Sequence, residues 1–143
     1  MKALIIGCGR VGSTIALQLQ KEDWEVTVVD ENEDALSRLG ENWPGAFLVG
    51  HGMDADLLRA AGIEETDAVV VATDGDNTNI VIGQVAQKRF GVECTVVRIL
   101  DPARADFYTA RGLQTVCPTK TAIDTLSEAV RACAAVPVPE VTA

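Results

Sequence analysis

Apolar and polar positions follow two rhythms along the chain. Short, continuous apolar runs occur at Ala3–Ile6, Glu25–Asp30, Ala46–Val49, Asp67–Ala72, Thr95–Ile99 and Gln114–Cys117. Runs of this length suit parallel strands, which are buried on both faces. Longer amphipathic stretches separate them. Residues 10–21 place Val11, Ile15 and Leu19 at i, i+4 and i+8 with Ala16 beside them, which predicts a helix with one apolar stripe. Further helices are predicted over Glu31–Leu39, Asp54–Ala60, 76–90, Pro102–Ala110 and Pro118–Cys133. Gly40, Gly62 and Gly91 stand where three of them should stop. Pro102 sits at a first helical turn, where its missing N–H costs nothing.

Six strands alternating with helices predict an α/β fold: a Rossmann-type, doubly wound, six-stranded parallel sheet with helices on both faces. The expected strand order is 3-2-1-4-5-6. Residues 1–134 read as one domain and 135–143, with Pro137 and Pro139, as an extended tail.

The first strand runs into Gly7-Cys8-Gly9-Arg10-Val11-Gly12, a G-x-G-x-x-G loop that opens a helix. Asp30 ends the second strand 18 residues after Gly12. Strand, loop, helix and acid in this order form a dinucleotide-binding fingerprint. Gly7 permits the turn, Gly9 lets the backbone approach a pyrophosphate, and Gly12 lets the helix pack on the strand. The helix N-terminus offers N–H groups to phosphate. Asp30 would accept hydrogen bonds from ribose hydroxyls and repel a 2′-phosphate, so NAD(H) or ATP/ADP are the expected ligands and NADP is disfavoured. Cys8 has two readings: a small residue that fits the turn, or a thiol whose pKa the helix N-terminus lowers enough for redox sensing.

The chain has 143 residues and a formal charge of −9. The length fits one domain and leaves no room for a second, catalytic one. The acidic balance argues against nucleic acid and against direct lipid binding. No run approaches the ~20 apolar residues of a membrane span, and the N-terminal run is too short for a signal peptide. Cys8, Cys94, Cys117 and Cys133 form no C-x-x-C pair and the single histidine is His51, so a metal site is not expected. Tyr108 has Gly112 four residues on, hence no Tyr-x-x-x-Lys pair, and G-x-S-x-G is absent. A binder, and not an enzyme, is the reading; the alternatives are a small NAD-dependent oxidoreductase or a soluble NADH/NAD sensor.

Four ordered motifs carry a family likeness: the glycine loop; Gly50-His51-Gly52-Met53-Asp54 with Leu57, Ala61 and Gly62; Thr73-Asp74-Gly75-Asp76-Asn77-Thr78-Asn79; and Arg98-Ile99-Leu100-Asp101-Pro102. Together, over residues 1 to about 130, they resemble the TrkA N-terminal (RCK or KTN) domain, which regulates potassium uptake systems and channels from the cytoplasmic side. The resemblance implies that Arg10 reaches phosphates, that Asp30 holds the adenosine ribose, and that His51, Gly52 and Asp54 flank the adenine. Thr73 and Asp74 would line the crevice, and Arg98 would face phosphates. It also implies a homo-oligomer, at least a dimer, under a membrane transporter or channel subunit, peripheral to the membrane through that protein partner. His51 stands where many relatives carry an acid.

Local chemistry leaves other roles open. Asp54, Asp74 and Asp76 are also placed to cap helices. Asn79 fits a ligand contact or an exposed helix face. Arg98, inside an apolar strand, calls for an anionic partner, either phosphate or an interface carboxylate, ahead of simple snorkelling of its charged end to water. His51 is a pH-sensitive adenine contact or a solvated loop residue. Ile80-Val81-Ile82 covers more than one helix face, which points to an intersubunit contact or a helix wedged within the domain. Ala122, Ile123, Leu126, Ala129 and Val130 make the last helix a second interface candidate.

Overall fold

A computed structural model describes residues 1–135 and Glu140. The expected tail over 135–143 lies almost wholly outside the described residues. The elements are β1 (Lys2–Ile6), α1 (Arg10–Lys21), β2 (Glu25–Asp30), a 3₁₀ helix (Glu33–Leu39), β3 (Ala46–Val49), α2 (Ala55–Ala60), β4 (Ala68–Val71), α3 (Asp76–Gln84) continued by a π turn (Val85–Arg89), β5 (Cys94–Arg98), α4 (Pro102–Thr109), β6 (Gln114–Val116) and α5 (Pro118–Ala134). All strand pairs are parallel and the order is β3-β2-β1-β4-β5-β6. The sheet is the doubly wound one that the apolar runs predict.

β1 shows why such a strand must be apolar throughout. Leu4 and Ile6 enter one core with Leu58, Ile80, Ile82, Val97 and Ala105, under α2, α3 and α4. Ala3 and Ile5 enter a second core with Ala16, Val28, Ala35 and Leu39, under α1 and the 3₁₀ helix. Successive side chains point to opposite faces, so a polar residue at any of these four positions would be buried without water. Full burial of each Leu or Ile contributes roughly 1.5–3 kcal/mol.

Several elements depart from the pattern-based reading. Val11 is exposed, and α1 buries Gly12, Ser13 and Ala16 instead. The cause is Gly12: a Cβ there would stand 1.8 Å from the Gly7 carbonyl oxygen, so α1 packs on its glycine and its buried face turns away from Val11. The predicted helix over 76–90 is α-helical only to Gln84. Ile80 and Ile82 are both buried within the domain, leaving Val81 alone exposed. The apolar triplet therefore serves the domain's own core, and only Val81 remains for an outside contact.

α5 differs from every other α-helix in the fold. None of its 17 residues is buried. It is tied at its start by Lys120 Nζ to Asp106 Oδ1 of α4, at 2.6 Å. Ile123, Leu126 and Val130 lie exposed at i, i+3 and i+7. No helix among the described residues is long and apolar enough to cross a membrane.

Candidate functional site

The order of the strands reverses beside β1, with β2 on one side and β4 on the other. Ligands of such sheets bind at the carboxyl ends of the strands beside this switch point. A cavity of about 520 Å³ lies there, bounded by the ends of β1, β2 and β4, the 3₁₀ helix and the loop after β3. That volume falls in the range of small-molecule sites.

The glycine loop forms its floor. Gly7 adopts φ +101°, and a Cβ on it would meet the Ala72 carbonyl oxygen at 2.5 Å. Gly12 packs as described above. Gly9 is different: a Cβ there would meet nothing within 4 Å, and Gly9 lines the cavity. Gly9 also precedes α1 without any side-chain cap, so the first N–H groups of that helix have no side-chain partner there. A glycine unneeded by its own chain, next to uncapped helix donors, suits a phosphate approaching from outside.

Asp30 stands beside this floor and has a structural role that the motif does not reveal. Its Oδ2 accepts from the Cys8 main-chain N–H at 2.7 Å and its Oδ1 from Asn32 N–H at 2.8 Å. A carboxylate has about four lone-pair sites, so acceptors remain for a ribose diol. The Cys8 thiol is buried against the Ala35 carbonyl. Burial first, and the Asp30 charge second, push its pKa up, with Arg38 opposing weakly. The thiolate that redox sensing needs is thus disfavoured in the fold.

Of the remaining sequence-predicted residues, His51, Gly52, Thr73 and Asp74 line the cavity; Arg10, Val11, Gly12, Asp54 and Arg98 do not. Asp54 caps α2, its Oδ1 accepting from Asp56 and Leu57 N–H. Gly75, not Asp74 or Asp76, occupies the cap position of α3. Asp76 instead accepts from the N–H groups of Leu100 and Asp101, at 2.7 and 2.9 Å. Asn79 is buried, not on an exposed helix face. Arg98 Nη2 donates to the backbone carbonyls of Ala72 and Thr73.

His51 closes the cavity's outer edge. Its Nδ1 accepts from Met53 N–H at 3.2 Å, which assigns the proton to Nε2, and Nε2 faces Glu31 Oε1 at 3.2 Å. The imidazole therefore bridges the loops after β2 and β3.

The wall of Glu31, Asn32, Asp34, Ser37 and Arg38 escaped sequence reasoning. The available signal was position: these residues follow the β2 acid directly, and the 3₁₀ turn brings them back over it. The lining carries four carboxylates, at Asp30, Glu31, Asp34 and Asp74, and one guanidinium, at Arg38. Among the described residues no cluster of histidine, cysteine and acidic side chains could hold a metal ion.

The chain is similar to known proteins in sequence and in fold. Residues 3–119 match the family model of the TrkA-N domain. The Trk system potassium uptake protein TrkA of Streptomyces coelicolor is 42% identical over 124 residues, which cover 87% of this chain and 56% of that protein. The chain therefore spans about half the length of that relative. Among solved structures, the Kef C-terminal domain of Shewanella denitrificans in its AMP-bound form superposes with a TM-score of 0.79 at 22% identity, covering 95% of this chain and 84% of the other. The GsuK channel bound to NAD superposes with a TM-score of 0.66 at 20% identity, covering 80% of this chain and 21% of the other. At those identities the likeness is one of fold.

Proposed function

The chain belongs to the TrkA-N domain family, and from that premise we propose that it is the nucleotide-binding, regulatory part of a potassium uptake system or channel. The observation that carries the reading is Gly9. Its backbone faces an open cavity that Asp30 bounds on one side and Thr73 on the other.

The ligand is NAD(H) in preference to ATP or ADP. Four lining carboxylates against one guanidinium make the cleft a poor host for a triphosphate. A dinucleotide carries only its pyrophosphate charge and places that at the α1 N-terminus. Asp30 accepts from the adenosine ribose and excludes NADP, whose 2′-phosphate would meet a carboxylate. His51 and Gly52 flank the adenine, and Thr73 and Asp74 the second ribose. The NAD in the GsuK channel structure and the AMP in the Kef structure support adenine-containing ligands.

The chain works by binding and not by turnover. Its membrane partner is a potassium transporter or channel subunit, reached from the cytoplasmic side by protein contact. The chain is at least a dimer, and the apolar stripe Ile123, Leu126 and Val130 on α5 supports that. Ligand binding transmits a signal only if the two subunit arrangements bind it with different affinity.

The test is a thermal-shift series with NAD, NADH, NADP, ATP, ADP and AMP. A ligand at 100 times its Kd stabilises the fold by about 2.7 kcal/mol. NAD and NADH are expected to give the largest shifts and NADP none. A larger shift with ATP than with either overturns the ligand assignment, and no shift with any of the six overturns the nucleotide reading.

A further inference from the structure

We propose that Asn79 and Arg98 are positioning residues of the cleft: neither lines it, and together they hold its Thr73 end in place. The inference rests on the nucleotide reading above.

Asn79 lies in α3 and is 1% exposed. Its amide is fully used. Oδ1 accepts from Thr73 N–H at 3.0 Å and also from the Thr73 hydroxyl. Nδ2 donates to the Thr73 carbonyl and to the Arg98 carbonyl, each at 3.0 Å. One side chain thus reads the N–H, the C=O and the hydroxyl of a single residue, and ties that residue to β5. Arg98 adds a second hold, its Nη2 donating to the Thr73 carbonyl at 2.8 Å and to the Ala72 carbonyl at 3.4 Å. Its buried Nε–H has no partner among the described residues. The hydrogen bonds its guanidinium does make among the described residues both go to the Ala72 and Thr73 carbonyls.

The same peptide supports the cleft floor. Gly7 approaches so closely that a Cβ on it would lie 2.5 Å from Ala72 O and 2.8 Å from Thr73 N. The glycine loop has an independent tether on its other side, from Cys8 N–H to Asp30 Oδ2. Thr73, two residues past the end of β4, has no hydrogen bond among the described residues other than those to Asn79 and Arg98. Loosening Asn79 or Arg98 therefore disturbs the Thr73–Asp74 end and spares the Asp30 end. AMP needs only the Asp30 end and the glycine loop, whereas NAD extends past β1 toward β4.

The experiment is calorimetric titration of the full chain with NAD and with AMP, for the wild type, Asn79→Ala, Arg98→Met and Arg98→Lys. Arg98→Met keeps the aliphatic stem, and Arg98→Lys keeps one donor. Asn79→Ala and Arg98→Met are expected to weaken NAD by about tenfold or more and AMP by less than about threefold, with Arg98→Lys recovering part of the NAD affinity. A purely structural role would weaken both ligands alike, and that result, or unchanged NAD affinity, overturns the inference. Should Asn79→Ala fail to fold by circular dichroism, the two Arg98 variants decide it. A wild type that binds neither ligand overturns the nucleotide reading itself and this inference with it; a wild type that binds AMP but not NAD overturns the inference alone.

Discussion

The main-chain N–H of Cys8 donates to Asp30 Oδ2 at 2.7 Å, so the acid at the end of β2 holds the glycine loop at the end of β1. Asp30 is therefore both a ligand acceptor and a brace. Hydrogen bonds to a charged group are worth about 1.5–3 kcal/mol. Asp30→Ala is expected to lower the Tm of the free chain by roughly 5 °C and to abolish the shift caused by NAD. Asp30→Asn keeps one acceptor oxygen and should lose less stability while still losing most NAD affinity. Scanning calorimetry with and without NAD separates the two roles. An unchanged NAD shift in Asp30→Ala would refute the ligand role.

Gly9 and Gly12 sit three residues apart and predict opposite phenotypes. A Cβ on Gly9 meets nothing of its own chain, whereas one on Gly12 stands 1.8 Å from Gly7 O. Gly9→Ala is expected to fold with a Tm within a few degrees of the parent, since a cap change of this kind costs about 1 kcal/mol or less, and to bind NAD about tenfold more weakly. Gly12→Ala forces a backbone shift and should cost about 3 kcal/mol or more before any ligand is added. Urea denaturation paired with NAD titration reads both effects.

Burial, reinforced by Asp30, holds the Cys8 thiol protonated in the fold above its ordinary range. The unfolded chain therefore releases that proton at lower pH than the folded one. As pH rises through the ordinary thiol range, the unfolded state binds fewer protons than the folded state, and stability falls. Below that range Cys8 contributes no pH dependence. Denaturation midpoints between pH 7 and 10 should decline at the alkaline end, and Cys8→Ala should flatten part of the decline. Iodoacetamide should label the exposed Cys94 and Cys133 well before the buried Cys8 and Cys117.

α5 exposes Leu126 at 66% of its surface within the stripe shared by Ile123 and Val130. Sedimentation is expected to give at least twice the 15.2 kDa of one chain at micromolar concentration. Leu126→Glu should shift the mass to that of the single chain with little loss of stability in the domain itself, because none of α5 is buried in it. A dimer unaffected by Leu126→Glu would place the contact elsewhere, with exposed Val81 of α3 the next position to change.

Much of this protein is local in origin, and that part was legible in the sequence. Continuous apolar runs specify strands buried on both faces, and the lengths between them require crossovers, so a parallel sheet follows, with the doubly wound order its natural choice. Gly7, Gly9, Gly12 and Asp30 could be located because turn geometry and strand ends act over a few residues. Tertiary packing decided the rest. α1 turned Val11 outward because Gly12 packs against Gly7 O. Asn79 became the most fully bonded side chain beside the cleft because β4, α3 and β5 bring Thr73 and Arg98 to it, six and 19 residues away. Asp76 became a clamp on Leu100 and Asp101 instead of a cap. The wall from Glu31 to Arg38 exists only where the 3₁₀ turn folds back over the glycine loop. Hydrophobic period reports which face of an element is apolar. Which buried polar group meets which partner depends on how separate elements are docked, and that is a property of the packed sheet and helices, not of any window of sequence.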